Sequence, residues 1–341
     1  MAPILTGDIG GTKTNLALFN GPADQLTMTA FKGYASRSAA SPLELIDHFL
    51  CETGNPDLSG VCLGIAGPVV NGTVTTINLP WTVSEQEIAA HCKVSRATLI
   101  NDLVATACAV PLLPTDKLMP INDVPPPGHG NIGLIAPGTG LGEALLVWDR
   151  GRHIPCASEG GHKDFAPQDA QQFRLHQHIA QHTGHVSVER LLSGNGLTEI
   201  LRFLQIEAGV PEPEWLSERI RNQNPGAAIS AAALAGDDDL CVEALNLFVK
   251  LLAAEAGNLA LQATTFGGIF LGGGIAPKIA PALLDGAFMT AFCAKGRLSH
   301  LLRHIPVLII LDEQAALWGA VAYLLHLSGY TPPSIAMAPA G

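Results

Sequence analysis

The most constraining feature of this sequence is a pattern that occurs twice: an apolar strand, a glycine-rich turn and a second strand directly after it. The first copy covers residues 4–19 and the second covers residues 132–148. In a dinucleotide-binding fold the glycine turn opens a helix, whereas the alternation after each of these turns is that of a strand. A Walker loop requires Gly-Lys before Ser or Thr, and Lys13 follows Thr12 instead. The repetition predicts a duplicated α/β architecture, with one copy in each of two domains.

The length of the chain and its prolines predict where the two domains divide. At roughly 100–200 residues per domain, a chain of 341 residues suggests two domains. Hydrophobic residues make up 48% of the chain and charged residues 14%, which is enough apolar surface for two cores. Apolar residues at helical spacing predict a long helix at about 240–263 in the second of them. Pro111 and Pro114 interrupt the helical pattern that ends near residue 109. We therefore expect a small N-terminal domain at 1–111, a large domain at 112–313, and a segment at 314–341 whose helix returns to the small domain before a frayed tail.

Net charge and cysteine content exclude some classes of partner and indicate the compartment. A formal net charge of −11 argues against nucleic acid, because a protein that neutralises phosphates needs a basic face. The seven cysteines are scattered without paired spacing, which is typical of reduced thiols in a cytoplasmic protein. The sequence shows neither a leader-like start nor an apolar run of about 18 residues. We expect a cytoplasmic protein with no nucleic-acid and no membrane partner.

Both glycine turns are candidates for binding the phosphates of a nucleotide, because a turn without Cβ atoms brings backbone N–H groups close to an anion. The candidate residues are Gly10, Gly11 and Thr12 in the first turn, and Gly138, Thr139 and Gly140 in the second. The alternative for either turn is an ordinary glycine hairpin. Two copies, with Asp8 beside the first, favour phosphate binding, since Asp8 could hold a hydrated Mg²⁺ through water.

A third glycine run follows a predicted strand at 269–271. Gly273 and Gly274 precede Pro277, and proline suits the first turn of a helix. The N-terminus of such a helix would present N–H groups to a nucleotide. The alternative is a tight strand-to-helix turn, which this run alone would favour.

Asn101 and Asp102 stand where a predicted strand, 97–100, ends and a helix begins. Both residue types are favoured helix N-caps, so capping is one explanation for them. The carboxyl ends of strands in α/β folds are also where ligands bind. Asp102 is therefore a candidate for accepting a proton from a substrate hydroxyl.

Two further segments carry polar candidates. Glu159 and His162 are separated by two glycines, which lets both side chains converge on one small ligand; the alternative is a solvated Glu and a hydrogen-bonded His. A zinc site at His162 is disfavoured, because the next cysteine is Cys241. Glu189 follows Ser187, a candidate N-cap, and the pattern alone favours a role in stabilising a helix dipole.

Taken in order, these segments resemble the bacterial glucokinase family, within the actin-like sugar kinase superfamily. The likeness runs from residue 4 to about residue 325, and it rests on the ordered set rather than on any one turn. The matching stretches are 7–12 (GDIGGT), 63–68 (LGIAGP), 78–81 (NLPW), 99–102 (LIND), 138–142 (GTGLG), 159–165 (EGGHKDF), 186–194 (VSVERLLSG), 265–274 (TFGGIFLGGG) and 306–318. The resemblance implies an α/β, two-domain actin-like ATPase fold, related to ribonuclease H, with a cleft between the domains.

The resemblance also implies a reaction, the ATP- and Mg²⁺-dependent phosphorylation of glucose to glucose 6-phosphate, and a homodimer. It makes Asp102 the general base towards the sugar 6-hydroxyl. The residues similar to the family's glucose-binding set are Asn101, Asp102, Glu159, His162 and Glu189. Those similar to its nucleotide-binding set are Asp8 (through Mg²⁺), Gly10, Gly11, Thr12, Gly138, Thr139, Gly140, Gly273 and Gly274.

Other functions remain open at this point. The nearest is a kinase for another hexose, or one that uses another phosphoryl donor. A non-catalytic sugar sensor could keep the pocket, although the presence of Asp8 and Asp102 argues against it. An actin-like filament or chaperone ATPase is disfavoured by the EGGH segment at 159–162. The related repressor–kinase family adds a zinc-binding cysteine cluster, which is absent from this sequence.

Overall fold

The structure, a computed structural model, describes residues 2–22, 25–76 and 79–327. Its strands are β1 (Ile4–Ile9), β2 (Lys13–Asn20), β3 (Thr27–Ala35), β4 (Gly60–Ile65), β5 (Thr73–Thr75), β6 (Thr82–Ser84), β7 (Ala97–Asn101), β8 (Leu118–Pro120), β9 (Ile132–Pro137), β10 (Leu141–Asp149), β11 (Arg152–Ser158), β12 (Gly268–Leu271) and β13 (Val307–Ile310). Its α-helices are α1 (Pro42–Glu52), α2 (Glu85–His91), α3 (Asp102–Ala109), α4 (Ala170–Thr183), α5 (Gly194–Ala208), α6 (Glu214–Asn222), α7 (Pro225–Ala235), α8 (Asp239–Ala263), α9 (Ala280–Leu283), α10 (Ala287–Phe292), α11 (Ser299–Leu302) and α12 (Ala315–Leu327). Short 3-10 helices cover Ser36–Ser38, Val110–Leu112, Thr115–Lys117, Gly160–His162, Val188–Arg190, Ala276–Ile279 and Gly296–Leu298. The predicted frayed tail, and Asn78 of the 78–81 stretch, lie outside the described residues.

The chain divides into two compact units. The first contains Met1–Lys117, Trp148–Ala157 and Asp312–Gly341, and the second contains Leu118–Val147 and Ser158–Leu311. The domain limits predicted at residues 111 and 313 are those of domains that could each fold alone. Compactness does not test independent folding, so these limits stay a prediction.

A five-stranded sheet with the order β3-β2-β1-β4-β7 forms the centre of the first unit. Strand β1 is antiparallel to β2 and parallel to β4, and β4 is parallel to β7, as expected for a hairpin followed by crossover connections. Ile9, Ile65 and Asn101 lie side by side in this register. The first glycine turn and the start of α3 therefore leave the sheet at the same edge, two strand spacings or about 10 Å apart.

Helix α12 packs against α3 on one face of this sheet. Their shared core includes Val104, Ala105 and Ala320, all buried. A Cβ on Gly319 would lie 1.6 Å from the carbonyl oxygen of Ala105, so glycine is what lets the two helix backbones touch. The helix that begins at Asp102 is thus fixed by a segment more than 200 residues later in the sequence.

The second unit repeats the same topology. Strand β9 is antiparallel to β10 and parallel to β12, and β12 is parallel to β13. Ile135 pairs with Leu271, which brings the carboxyl ends of β9 and β12 together. Both predicted hairpins are confirmed, and in each unit the glycine turn lies at the carboxyl edge of a parallel strand pair.

Helix α8 packs against α5, α7 and α10 to build the main core of the second unit. It begins where the Asp238 side chain accepts a hydrogen bond from Cys241 N at 2.8 Å, and it confirms the helix predicted at 240–263. Within residues 2–22, 25–76 and 79–327, we find no helix that combines the length and apolar character needed to cross a membrane.

Candidate active site

The first glycine turn is held in shape by hydrogen bonds from its own strands and from the end of β3. Gly10 N donates to Lys13 O at 3.0 Å and closes the turn. Ser36 N donates to Thr12 O at 2.9 Å, and Ser36 Oγ donates to Gly10 O at 2.7 Å. These bonds satisfy carbonyl groups of the turn, so its geometry is set before any ligand arrives.

Asp8 lies at the end of β1 beside Asn15 of β2. Asn15 Nδ2 donates to Asp8 Oδ2 at 3.4 Å, while the buried Asn15 Oδ1 has no hydrogen-bond partner among the described residues. Burial raises the pKa of Asp8, and the Asn15 hydrogen bond and the positive charge of Lys13 oppose that rise. A carboxylate is a ligand that suits Mg²⁺ or its bound water, so Asp8, oriented by the Asn15 amide, fits the predicted metal. The sequence prediction named Asp8 and missed Asn15. The feature that could have indicated Asn15 is an amide side chain inside a strand that is mostly buried.

Asn101 and Asp102 join β7 to α3 at the same sheet edge. Asn101 is the N-cap: its Oδ1 accepts from Leu103 N at 2.9 Å and from Val104 N at 3.3 Å. The capping explanation for Asn101 is confirmed, and its Nδ2 donates to Gly67 O at 3.3 Å, which leaves the second N–H of the amide for a ligand. Asp102 is half-buried at the first helical position, and its Oδ1 accepts from Leu103 N at 3.0 Å.

In the second unit, the glycine turn after β9 is closed by a hydrogen bond from Gly138 N to Gly140 O at 2.8 Å. Gly194 N, at the start of α5, donates to Gly138 O at 3.0 Å. A Cβ on Gly138 would have no protein atom within 4 Å in the part of the chain that the structure describes, so this side of the turn has room for a phosphate. A Cβ on Gly140 would lie 2.4 Å from Glu189 Oε2. The missing Cβ therefore leaves room for a ligand at Gly138 and for the Glu189 carboxylate at Gly140.

Glu189 lies in the 3-10 helix Val188–Arg190, next to this turn. Its Oε2 accepts from Leu141 N at 2.8 Å, and its Oε1 lies 4.0 Å from His162 Nδ1. Ser187 occupies the N-cap position without a side-chain capping bond. The dipole role that the pattern favoured is wrong for Glu189, because a three-residue 3-10 helix has too few aligned peptides and the carboxylate bonds to β10 instead.

His162 and Glu159 lie at the two ends of a short turn, and the 3-10 helix Gly160–His162 is closed by His162 N donating to Glu159 O at 3.0 Å. A Cβ on Gly160 would lie 2.0 Å from Glu143 Oε2, so the turn needs glycine to lie on β10. The structure brings His162 and Glu189 together, and it leaves the Glu159 side chain exposed.

The third glycine run lies beside the second glycine turn. Gly273 has a φ of +76°, and a Cβ there would lie 2.4 Å from Pro137 O. Ile275 N donates to the same oxygen at 3.4 Å. The predicted helix after this run is short: a 3-10 turn, Ala276–Ile279, leads into the four residues of α9. Its N-terminus therefore offers fewer aligned N–H groups than a long helix would.

A buried charge cluster of the second unit was missed by the sequence prediction. Lys163 Nζ lies 3.0 Å from Glu143 Oε2 and also donates to Glu255 Oε1. Glu143 is 1% exposed and Glu255 is 7% exposed, which is rare for carboxylates. Burial raises the pKa of Glu143 to about 7; the charge and hydrogen bond of Lys163 oppose this, and the nearby Glu255 adds to it. A single acidic residue inside an apolar stretch, as at Glu143 and Glu255, was the available signal.

A glucokinase family model matches residues 5–327, which is most of the chain. The chain belongs to the glucokinase family. The glucokinase of Nostoc punctiforme is 35% identical over 334 residues, covering 94% of this chain and 98% of that protein. The solved glucokinase from an Antarctic psychrotroph is 30% identical, with a TM-score of 0.83, and the match covers 96% of this chain and 99% of that one.

A more distant structure shows the same fold. The glucokinase of Streptomyces griseus, solved in complex with glucose and AMPPNP and assigned to the ROK family, is 20% identical with a TM-score of 0.64. The match covers 94% of this chain and 98% of that one. Together with the closer glucokinases, it confirms the predicted α/β, two-domain sugar kinase fold of the glucokinase family.

Proposed function

We propose that this protein transfers the γ-phosphoryl group of ATP to the 6-hydroxyl of D-glucose. The observation that carries the proposal is the glucokinase family match over residues 5–327, which spans every candidate residue from Asp8 to Gly274. Membership of that family makes the chain a sugar kinase, which is a transferase. The Streptomyces griseus enzyme, solved with glucose and an ATP analogue, supports glucose as the sugar and ATP as the donor.

Asp102 is the general base in this proposal. The 6-hydroxyl proton passes to a carboxylate oxygen of Asp102 as the 6-oxygen bonds to the γ-phosphorus, and the bond from that phosphorus to the β–γ bridging oxygen breaks to release ADP. Two observations support the assignment: Asp102 follows a parallel strand at its carboxyl end, where α/β folds bind ligands, and the backbone N–H of Leu103 orients its carboxylate.

Four other side chains bind the sugar in this proposal. Asn101 would donate with the second N–H of its amide, and Glu159, His162 and Glu189 would bond the remaining hydroxyls. Hydrogen bonds to charged acceptors are strong and directional. A sugar that lacks a matching hydroxyl would leave a buried polar group of the site unpaired, and this would weaken its binding. Glu189 has one oxygen engaged by Leu141 N, which supports a fixed orientation of its other oxygen.

The glycine turns and Asp8 would hold ATP·Mg²⁺. The phosphates would be contacted by Gly10, Gly11, Thr12, Gly138, Thr139 and Gly140, and the adenosine by Gly273 and Gly274. Asp8, oriented by the Asn15 amide, would hold Mg²⁺ through its bound water, and the ion would neutralise charge on the phosphates. The hydrogen bond from Asn15 to Asp8 and the open space at Gly138 support these assignments.

A cytoplasmic location and a homodimer complete the proposal. The cysteines of this chain are all free thiols, which supports a reducing compartment. The homodimer follows from the family resemblance and is testable by light scattering.

The test is a coupled assay of the wild type and the Asp102→Asn variant, with ATP and Mg²⁺ and with glucose beside mannose, fructose and N-acetylglucosamine. Asn keeps the oxygen that accepts from Leu103 N but cannot take a proton. General-base catalysis contributes roughly 10²–10⁴-fold, so we expect kcat to fall by about that factor while glucose binding, measured by calorimetry, is retained.

The matched control is Asp116→Asn, which makes the same change at an exposed carboxylate of the same unit and should leave kcat unchanged. Near-normal turnover in Asp102→Asn would reject Asp102 as the base. If another hexose is phosphorylated faster, that hexose and not glucose is the substrate. If ATP is hydrolysed and no sugar phosphate forms, the proposed kinase activity is rejected.

A further inference from the structure

The charge cluster of Glu143, Lys163 and Glu255 has no part in the function proposed above. Glu143 lies on β10, Lys163 directly follows the 3-10 helix Gly160–His162, and Glu255 lies on α8. The Lys163 side chain is 35% exposed, and its ammonium lies between the two buried carboxylates. Burying charges in this way adds little net stability, because their desolvation offsets their attraction. The cluster therefore calls for an explanation other than stability.

The main chain of Lys163 connects the segments that carry the sugar-binding candidates of the second unit. Lys163 N donates to Gly160 O at 3.1 Å, within the turn between Glu159 and His162. Lys163 O accepts from Val188 N at 2.9 Å, one residue before Glu189. Movement of Lys163 would therefore move both segments.

The side chain of Lys163 connects the same segments to rigid elements. Its partner Glu143 lies two residues after Leu141, whose N–H binds the Glu189 carboxylate. Its other partner, Glu255, lies in the buried middle of α8, where Asn258 Nδ2 donates to Glu255 Oε2 at 3.0 Å. The ammonium thus fixes the position of its own main chain relative to one strand and one helix of the core.

We propose that Lys163, held by Glu143 and Glu255, is a positioning residue that sets the geometry of Glu159, His162 and Glu189 towards the sugar. This inference rests on the proposed sugar-kinase function of the same site. Lys163 touches no reacting atom in it; the lysine acts through the two segments that it joins. Fixing donors and acceptors in advance lowers the entropy lost on binding, so glucose affinity should depend on the cluster more than ATP affinity does.

The experiment compares three variants with the wild type. Lys163→Met removes the ammonium but leaves two buried carboxylates unpaired, which by itself is expected to destabilise the fold. The triple variant Glu143→Gln/Lys163→Met/Glu255→Gln removes every charge of the cluster, so it should stay folded with a melting temperature no lower than that of the wild type. Lys163→Arg keeps a cation that can reach both carboxylates. We measure KM for glucose, KM for ATP, and amide hydrogen exchange of residues 159–165 and 187–192 without substrate.

We expect the triple variant to raise the KM for glucose roughly tenfold or more, the size of one charge-assisted hydrogen bond, and the KM for ATP by less than about twofold. Exchange of both segments should speed up. Lys163→Arg should restore much of the glucose affinity.

The matched control is Lys250→Met, which removes a lysine ammonium from an exposed position of the same helix, α8. It should leave the KM for glucose and both exchange rates unchanged. A folded triple variant with wild-type glucose KM and wild-type exchange overturns the proposal, as does an equal effect of Lys250→Met. Absence of glucose phosphorylation by the wild type would reject the proposed function instead, and the exchange comparison would still decide the role of Lys163.

Discussion

At the scale of single residues, the carboxylate of Glu189 has two separate contacts. One oxygen accepts the Leu141 N–H just after the glycine turn, and the other faces His162. Gly140 makes this possible, because any Cβ there would occupy the position of Glu189 Oε2. Gly140, a proposed nucleotide-binding residue, is therefore also required for the contacts of Glu189, a proposed sugar-binding residue.

We expect Gly140→Ala to weaken glucose binding on the order of tenfold, since it displaces a charge-assisted hydrogen bond. Neither Gly140 nor Gly138 has a left-handed φ, so alanine strains neither backbone. Gly138→Ala is the matched variant: its Cβ meets open space, so glucose binding should be unchanged while ATP binding weakens. Calorimetric titration with each ligand separately checks both. Equal glucose affinities in the two variants would contradict this account of Gly140.

At the scale of elements, the orientation of α3 is fixed by α12. The two helices touch through backbone atoms at Gly319 and Ala105, and no side chain separates them. Because Asp102 is the first residue of α3, any shift of this helix pair would move the proposed base.

We expect Gly319→Ala to destabilise the protein by about 1–3 kcal/mol or more, because the added methyl group must push two backbones apart. Thermal unfolding is the measurement. Gly194→Ala serves as the control, since its Cβ would be 3.8 Å from the nearest protein atom, an ordinary contact, at a helical position. A Gly319→Ala variant as stable as Gly194→Ala would mean that α12 can move away from α3 at little cost.

Elements were predictable from the sequence where one local signal determined them. Both hairpins and α8 followed from apolar periodicity and from glycine placement. The helix after Gly274 was predicted without its length, because proline marks a helix start but nothing local marks how soon the helix ends. Glu189 shows a different limit: its partner, Leu141, is 48 residues away, and capping patterns describe only near neighbours.

At the scale of the whole molecule, the family and the fold class could be predicted because the matching stretches extend along almost the entire chain. The cluster of Glu143, Lys163 and Glu255 could not, because sequence separations of 20 and 92 residues carry no local signature of contact. The assignments of substrate-binding and catalytic residues stay predictions that the variants above test.

The cluster also affects how stability depends on pH. Burial raises the pKa of Glu143 from 4.5 to about 7, with Lys163 opposing the rise. Between these values the folded protein keeps a proton that the unfolded chain has lost, so stability decreases as pH rises from about 4.5 to about 7.

Glu143→Gln should remove this decrease. We expect the unfolding free energy of the wild type, relative to the variant, to fall by up to about 3 kcal/mol between about pH 5 and about pH 8. Denaturant titrations at each pH measure it. Glu243→Gln, at an exposed position of α8, is the control and should run parallel to the wild type. A relative stability that rises with pH would show that Lys163 holds Glu143 ionised throughout.

The contact between Gly319 and Ala105 has a consequence for how the protein is made. After the ribosome has added Ala109, about 200 more residues must follow before α12 exists. At roughly 5–20 residues per second this takes on the order of 10–40 s. During that time the apolar surface of α3 has no covering helix, so the nascent first unit is an expected client for chaperones, while the second unit can already fold behind it.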